Sequence, residues 1–394
     1  MNKAILQPDV QDFITKNLTA DAAKIALAKS PFLNASSAEL AAQILAKKKS
    51  EKKLFTWFNT PNIYYPTSLC IEQTSSEVTA KHKAKIAPGE TLLDITGGFG
   101  VDAYYFSQQN KKVVHCEMIE DLSSIASHNA KQLGAYNIVF LNTDGLVFLK
   151  QESTRWDTIY ADPARRGNTG KVFKLADCTP NIPLNLETLL AKANRVMLKT
   201  SPLLDIDAGL GELKHVKEVH VISIKNECKE LLWILEPGFS GELKITATTL
   251  NDQTKSFSFY KADLKHVNTF AENVFTGLFL YEPDTAILKA GAQDSIALRF
   301  NLTKLHANTQ LFVSEKREAD FPGRIFEITK VMDTKEIKKK PDLRGNVVVR
   351  NYPAKAKELV KKYVIKPVKE QFLIFCKTSD EKNIVIEAKI IQYY

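Results

Sequence analysis

Between residues 91 and 235, short β-rich runs alternate with segments long enough to be helices, and this spacing restricts the fold more than any other feature of the chain. The runs are Thr91 to Ile95, Lys112 to Cys116, Asn137 to Leu141, Thr158 to Ala161, Arg195 to Leu198, Val219 to Ile224 and Leu231 to Leu235. A two-residue turn cannot join parallel strands, so helix-length crossovers imply parallel pairing with the helices laid on both faces. The pattern therefore predicts an α/β, Rossmann-like, doubly wound sheet. Gly241 to Leu250 and Ser256 to Tyr260 alternate around Asn251-Asp252-Gln253, as a hairpin closing that domain would.

The flanks read differently. Residues 1–60 are rich in Ala and Lys, and Ser36-Ser37-Ala38-Glu39 forms a capping box ahead of Leu40 and Ile44, so a helical cap is expected. Turn residues at Phe58-Asn59-Thr60-Pro61-Asn62 and Tyr65-Pro66 mark its end. Thr74-Ser75-Ser76-Glu77 reads as a second capping box, opening a short helix that stops near Ile86-Ala87-Pro88-Gly89. After residue 263, Tyr281-Glu282-Pro283-Asp284 and Phe321-Pro322-Gly323-Arg324 punctuate two small α+β units. The expected domains are 1–60, 61–262, 263–318 and 319–394. In the last, Asn346 to Arg350, Phe372 to Cys376 and Ile384 to Ile391 read as strands, and Ala356, Leu359, Val360 and Tyr363 as the core stripe of a helix.

Composition narrows the function classes. The five cysteines, Cys70, Cys116, Cys178, Cys228 and Cys376, include no C-x-x-C pair, which argues against a disulfide framework or structural zinc. The seven histidines show no ligand spacing, so no metal is expected, and Trp57, Trp156 and Trp233 are read as core. With no signal-peptide pattern and no apolar run long enough to cross a bilayer, a cytoplasmic, non-membrane protein is expected. The net charge of +9 is concentrated: residues 330–370 hold thirteen Lys and Arg against five Asp and Glu, a net +8. Such a module suits a polyanion such as RNA or DNA, or else forms a solvated basic face. Oligomeric state leaves no mark in the sequence.

The segment with chemistry in it is Asp94-Ile95-Thr96-Gly97-Gly98-Phe99-Gly100-Val101-Asp102, between the first strand and a helix. Glycines at such a turn let the backbone approach a ligand, and the helix N-terminus favours an anionic group. Gly98-x-Gly100-x-x-Ala103 also satisfies a dinucleotide fingerprint, and Glu117 ends the second strand where a ribose-binding acid belongs in either case, so a nicotinamide-dependent oxidoreductase stays open. Asp144, after the third strand, is placed to accept from an adenine amino group or to cap a helix. Asp162-Pro163-Ala164-Arg165-Arg166-Gly167 follows the fourth strand, where ligands of open α/β sheets sit. There a side-chain oxygen and a neighbouring carbonyl can orient a planar amine by positioning alone.

Taken together these residues resemble class I S-adenosylmethionine-dependent methyltransferases, and specifically the bacterial ones with a C-terminal THUMP-like domain. The resemblance also rests on Glu72-Gln73-Thr74-Ser75-Ser76-Glu77, Lys199-Thr200-Ser201-Pro202-Leu203-Leu204-Asp205-Ile206, Asn226-Glu227-Cys228-Lys229-Glu230 and Val347-Val348-Val349-Arg350-Asn351-Tyr352-Pro353. It implies S-adenosylmethionine as cofactor, held by Gln73, Thr79, Asp94, Thr96, Gly97, Gly98, Gly100, Asp102, Glu117, Met118, Asp144 and Asp162. It implies Asp162, Pro163 and Arg165 as the catalytic set and an RNA base, in tRNA or rRNA, as substrate. Arg166, Lys171, Lys338, Lys339, Lys340, Arg344 and Arg350 are the expected RNA contacts, with Phe173 either beside the cleft or in a packing role. Two departures stand out. Ala164 and Arg165 occupy the places where nucleic-acid amino methyltransferases have proline and an aromatic residue; arginine can stack on a base or bind phosphate instead. Thr200-Ser201-Pro202 lacks the cysteine nucleophile of 5-methyluridine methyltransferases, leaving Cys228 as the nearest substitute and a buried, inert thiol as its alternative. An RNA-binding protein that keeps the fold without catalysis is the remaining alternative.

Overall fold

The computed structural model describes residues 1–165, 174–340 and 342–394, Arg165 by its backbone alone. The chain forms two compact units, residues 1–216 with 233–240 and residues 217–232 with 241–394.

The first unit opens with helices α1 (Pro8–Lys16), α2 (Ala22–Leu27), α3 (Ser37–Lys53), α4 (Phe55–Asn59), α5 (Ser68–Gln73) and α6 (Glu77–Ile86). Ser36 and Glu39 cap α3 reciprocally, as the sequence predicts. At α6 the cap is Ser76 alone, and the expected box from Thr74 to Glu77 does not form. The side chains are used elsewhere: Glu77 accepts from the Thr56 backbone N–H, the Thr56 hydroxyl and Tyr105 Oη, and Ser75 bonds Asp102.

The strands β1 (Gly89–Asp94), β2 (Asn110–Glu117), β3 (Ile138–Asn142) and β4 (Trp156–Ala161) follow, with α7 (Val101–Ser107), α8 (Glu120–Gln132) and α9 (Gly145–Gln151) as crossovers. Beyond β4 the short β5 (Ala164–Arg165) pairs with β6 (Cys178–Thr179), and α10 (Ile182–Lys192) leads into β7 (Ala193–Thr200) and α11 (Ile206–Glu212). The order β3-β2-β1-β4-β7 is parallel throughout. The chain winds outward from β1 in both directions, so the crevice opens beyond the carboxyl ends of β1 and β4. Leu92, Leu93, Ile159, Val196, Met197 and Leu198 fill the sheet interior, and Trp57 and Trp156 are buried in this unit.

The second unit holds β8 (Val216–Ile224) from Lys217, the start of β9 (Glu227–Leu235), β10 (Lys244–Leu250) and β11 (Thr254–Tyr260). β10 runs parallel to β8 and antiparallel to β11, the expected hairpin. The unit continues through β12 (Phe279–Pro283), α12 (Thr285–Lys289), α13 (Gln293–Arg299), β13 (Thr303–Lys304), β14 (Phe312–Ser314), β15 (Gly323–Asp333), α14 (Thr334–Lys339), β16 (Asn346–Arg350), α15 (Ala356–Tyr363), β17 (Gln371–Lys377) and β18 (Asn383–Gln392). Its described strands β12 to β18 make one sheet in the order β13-β14-β12-β15-β18-β17-β16. The predicted stripe on α15 is only partly core. Leu359 is buried and Tyr363 stacks on Phe375, whereas Val360 is 39% exposed, because a two-turn helix on a sheet edge has one narrow face to bury.

Gly145 fixes how α9 approaches the glycine loop: a Cβ there would fall 2.4 Å from the Ile95 carbonyl oxygen, a backbone atom that cannot step aside. Gly145→Ala is expected to cost about 1–3 kcal/mol and lower the melting temperature by several degrees. Gly211→Ala, inside α11 with open space around the added methyl, should be neutral or slightly stabilising. Calorimetry on both variants checks the contrast.

Candidate active site

The glycine loop gains its shape from what lies beneath it. His115 on β2 is fully buried, and burial drives its imidazole down to about 4, so the ring is neutral. A Cβ on Gly97 would sit 2.3 Å from that ring, which makes glycine obligatory there. Gly98 and Gly100 have φ of +59° and +81°, and Gly100 caps α7. Gly98 N–H donates to Glu117 Oε2 at 2.9 Å, and Ile119 N–H to Oε1 at 2.8 Å, so the end of β2 is tied to the loop.

Asp94, Asp102 and Asp162 share the wall of a pocket with Cys70, Gln73, Thr74, Ser75, Thr96, Gly97, Gly98, Phe99, Val101, Leu122 and Tyr160. Each acid is treated differently. Asp102 receives Lys83 Nζ at 3.0 Å, Ser75 Oγ at 2.8 Å and Tyr160 Oη at 2.8 Å. Burial alone would raise its carboxyl, but the ammonium groups of Lys83 and Lys199 and the bonds from Lys83 and Ser75 prevail and hold it below the ordinary value. Lys83 itself has no exposed surface. Asp94, 1% exposed, accepts from Thr96 N–H at 3.0 Å. Burial, with the negative charges of Asp102 and Asp162 added, lifts Asp94 to about 8 against the bonds from Thr96. Asp162 is bound through its backbone N–H to Thr96 Oγ1 at 2.7 Å and through Oδ2 to Lys199 Nζ at 2.5 Å.

The pocket, about 160 Å³, has space for roughly five waters at ~30 Å³ each, which suits an amino-acid-sized group. It brings together seven of the expected cofactor residues: Gln73, Asp94, Thr96, Gly97, Gly98, Asp102 and Asp162. Gly100, Glu117, Met118 and Asp144 are outside its wall, although Glu117 reaches it through Gly98. Met118 is 56% exposed. Asp144 caps α9 through Oδ1, from Leu146 N–H at 2.8 Å and Val147 N–H at 3.1 Å, and its Oδ2 remains for another donor. Thr79 is buried on the first turn of α6 and donates to the Ser76 carbonyl.

The residues fit S-adenosylmethionine on the chemistry of this donor set. Asp102 and Asp162 are balanced by the Lys83 and Lys199 ammonium groups, and the protonated Asp94 can give up its proton when a cation such as a sulfonium enters. Reasoning from sequence did not single out Lys83, Tyr160 or Lys199. Lys83 and Tyr160 gave no local signal, because only the fold delivers them to Asp102. Lys199 sat within a recognised motif, but nothing in that motif says which acid it meets.

Among the expected RNA contacts, Lys338 and Lys339 are exposed on the last turn of α14. Lys340 pairs with Glu387 at 2.5 Å and Arg344 with Asp342 at 2.7 Å. Arg350 joins Arg324 on the buried carboxylate of Glu282. Arg166, Lys171, Phe173 and the Arg165 side chain lie outside the described residues. Burial pushes the Cys228 thiol up to about 12, so it is protonated near neutrality. Among the described residues no group of three or more His, Cys, Asp or Glu could hold a metal ion, and no helix is long and apolar enough to cross a membrane.

Comparison with known proteins agrees with this architecture. Residues 279–322 match the model of a ferredoxin-like domain, and residues 323–389 that of a THUMP-like domain. The chain is 24% identical over 240 residues to an uncharacterised S-adenosylmethionine-dependent methyltransferase of Mycobacterium tuberculosis, a match covering 61% of this chain and 63% of the relative. It is 31% identical to an uncharacterised RNA methyltransferase of Mycoplasma mobile over 86 residues, 22% of this chain and 24% of that one. A crystal structure from Porphyromonas gingivalis W83, described as a candidate methyltransferase, superposes over 99% of both chains with a TM-score of 0.86 and 28% identity.

The Asp94 environment predicts a pH signature. Its carboxyl titrates near 8 in the folded chain and at its ordinary 3.8 when unfolded, so between those values the folded state keeps a proton that the unfolded state releases. This group's contribution is therefore most favourable below pH 4 and fades as pH rises to 8. Asp94→Asn, which keeps the acceptor for Thr96 and carries no titrating proton, should gain melting temperature over wild type increasingly from pH 5 to pH 8. A pH-independent difference would contradict a protonated Asp94.

Proposed function

We propose that this chain, related by sequence and fold to S-adenosylmethionine-dependent methyltransferases, transfers a methyl group to RNA, with a base of tRNA or rRNA as acceptor. The observation that carries the reading is the convergence of Asp94, the glycine loop and Asp162 beyond the ends of β1 and β4. When bound, S-adenosylmethionine supplies an electrophilic methyl group on a positively charged sulfur. The protein's part is to position and to exclude water.

In this reading Asp94, Thr96, Gly97, Gly98 and Asp102 hold the methionyl end and Gln73 closes over it. Glu117 takes the ribose hydroxyls, while Met118 and the second oxygen of Asp144 serve the adenine. Gly100 sets the loop, and Thr79 acts through Ser76, to which it is bonded. Asp162 and the Pro163 carbonyl accept hydrogens from the nucleophile and aim its lone pair. Arg165 holds the base or a phosphate, and Arg166 and Lys171 continue that contact. Support for RNA comes from the THUMP-like domain and from its exposed lysines, Lys338 and Lys339 on α14 and Lys355, Lys357, Lys361 and Lys362 around α15. A cytoplasmic location belongs to the same reading.

Asp162→Ala should keep S-adenosylmethionine binding within about threefold and reduce methyl transfer to RNA at least a hundredfold. Transfer of a labelled methyl group to RNA fractions, with calorimetry for the cofactor, tests both halves. Cofactor binding with no transfer by wild type would identify the catalytically silent RNA-binding alternative, and binding of NADH in its place the oxidoreductase.

Replacing Lys338, Lys339, Lys357 and Lys361 together by Ala should weaken RNA binding at least tenfold at 0.1 M salt. It should also flatten the slope of log K against log salt by about 0.7–0.9 for each phosphate no longer neutralised. An unchanged slope would place the RNA elsewhere.

A further inference from the structure

Lys199 has no role in the reading above, yet it sits at the reaction centre. β4 and β7 are parallel with Ala161 opposite Leu198, so Asp162, the first residue beyond β4, comes beside Lys199 near the end of β7. Lys199 Nζ meets Asp162 Oδ2 at 2.5 Å, with the lysine 15% and the aspartate 33% exposed. Thr96 fixes the Asp162 backbone from the other side. The acid therefore presents Oδ1 to an incoming nucleophile, with a fixed positive charge alongside.

We propose that the acceptor attacks as an anion, from a ring imide N–H or a ribose hydroxyl, and that Lys199 stabilises its negative charge; this rests on the reading of the site as an RNA methyltransferase centre. A neutral exocyclic amine fits poorly. Its two hydrogens can go to Asp162 Oδ1 and the Pro163 carbonyl, but the Lys199 ammonium then has no developing negative charge to stabilise. An amine also turns cationic as it is methylated, which an adjacent ammonium opposes. An acidic N–H or O–H matches both groups. It passes its proton to Asp162 Oδ1, and the pair left on the nitrogen or oxygen forms the bond to the methyl carbon. The methyl–sulfur bond breaks with its electrons going to sulfur, and Asp162 later releases the proton to water.

The test digests RNA methylated by the wild-type protein to nucleosides and places the methyl group by mass spectrometry. A methyl on guanine N1 or uracil N3, or on ribose oxygen, is the expected result and distinguishes the two sources of acidic hydrogen, whereas one on guanine N7, which carries no hydrogen, overturns the inference. A methyl on an exocyclic amine overturns the inference and leaves the RNA reading intact. Label only in protein, or in nothing, removes that reading and the inference with it. Lys199→Met should reduce kcat about a hundredfold at pH 7, with activity recovering steeply as pH rises and the acceptor ionises without help. Affinity for S-adenosylhomocysteine by calorimetry should stay within twofold, and Lys199→Arg should stay within tenfold of wild-type kcat. Lys199→Gln is the substitute if the Met variant does not fold. Wild-type rate and an unshifted pH profile in the charge-removing variant would overturn the assignment.

Discussion

The buried ion pair between Lys83 and Asp102 is the contact on which the cofactor pocket depends. Asp102 belongs to the first turn of α7, Lys83 to α6, Ser75 to the segment between α5 and α6, and Tyr160 to the end of β4; the last three all donate to one carboxylate. Four pieces of chain separate in sequence are thus held at a single point. Two charges without solvent are costly to bury, and an apolar pair of equal volume would often be more stable. What the ion pair adds is location: an acid kept ionised at the pocket wall, and a lead-in segment that cannot drift from the glycine loop.

The remaining charges follow from that arrangement. Lys83 neutralises Asp102 and Lys199 neutralises Asp162, so the excess negative character falls on Asp94, where burial keeps a proton at neutral pH. The pocket rests close to electrically neutral, yet it can become more negative when a positive sulfur enters, by giving up that proton. Thr96 links the two ends of this system, donating to Asp94 and accepting from the Asp162 backbone. The cofactor side and the acceptor side thereby share one hydrogen-bonded chain of three residues.

Much of this was legible because its causes are local. Strand periodicity, the α3 capping box and the glycine loop depend on neighbours a few residues away, and the parallel order follows from crossover length. The second capping box failed for a non-local reason: Ser75 and Glu77 found partners, Asp102 and Tyr105, 27 and 28 residues downstream. The same kind of distance hid Lys83, which on sequence is one of the three lysines in Lys81-His82-Lys83-Ala84-Lys85. It also hid Lys199, whose meaning depends on strand register. Asp144 shows a case where two readings were both available from sequence, and the cap uses only one of the two oxygens.

Formal charge also proves a blunt guide to the basic module. Of its positive residues, Arg350 is consumed by buried Glu282, Arg344 and Lys366 by Asp342, and Lys340 by Glu387. These pairs set sheet edges and turns, and a phosphate would have to break them before it gained anything. The lysines of α14 and α15 are different: they are exposed, on short helices whose last turns already concentrate positive side chains. A polyanion approaching this unit therefore feels a field set less by the net charge of residues 330–370 than by which cations are still hydrated. Those cluster on two helices, not along the β16 strand that carried the sequence resemblance.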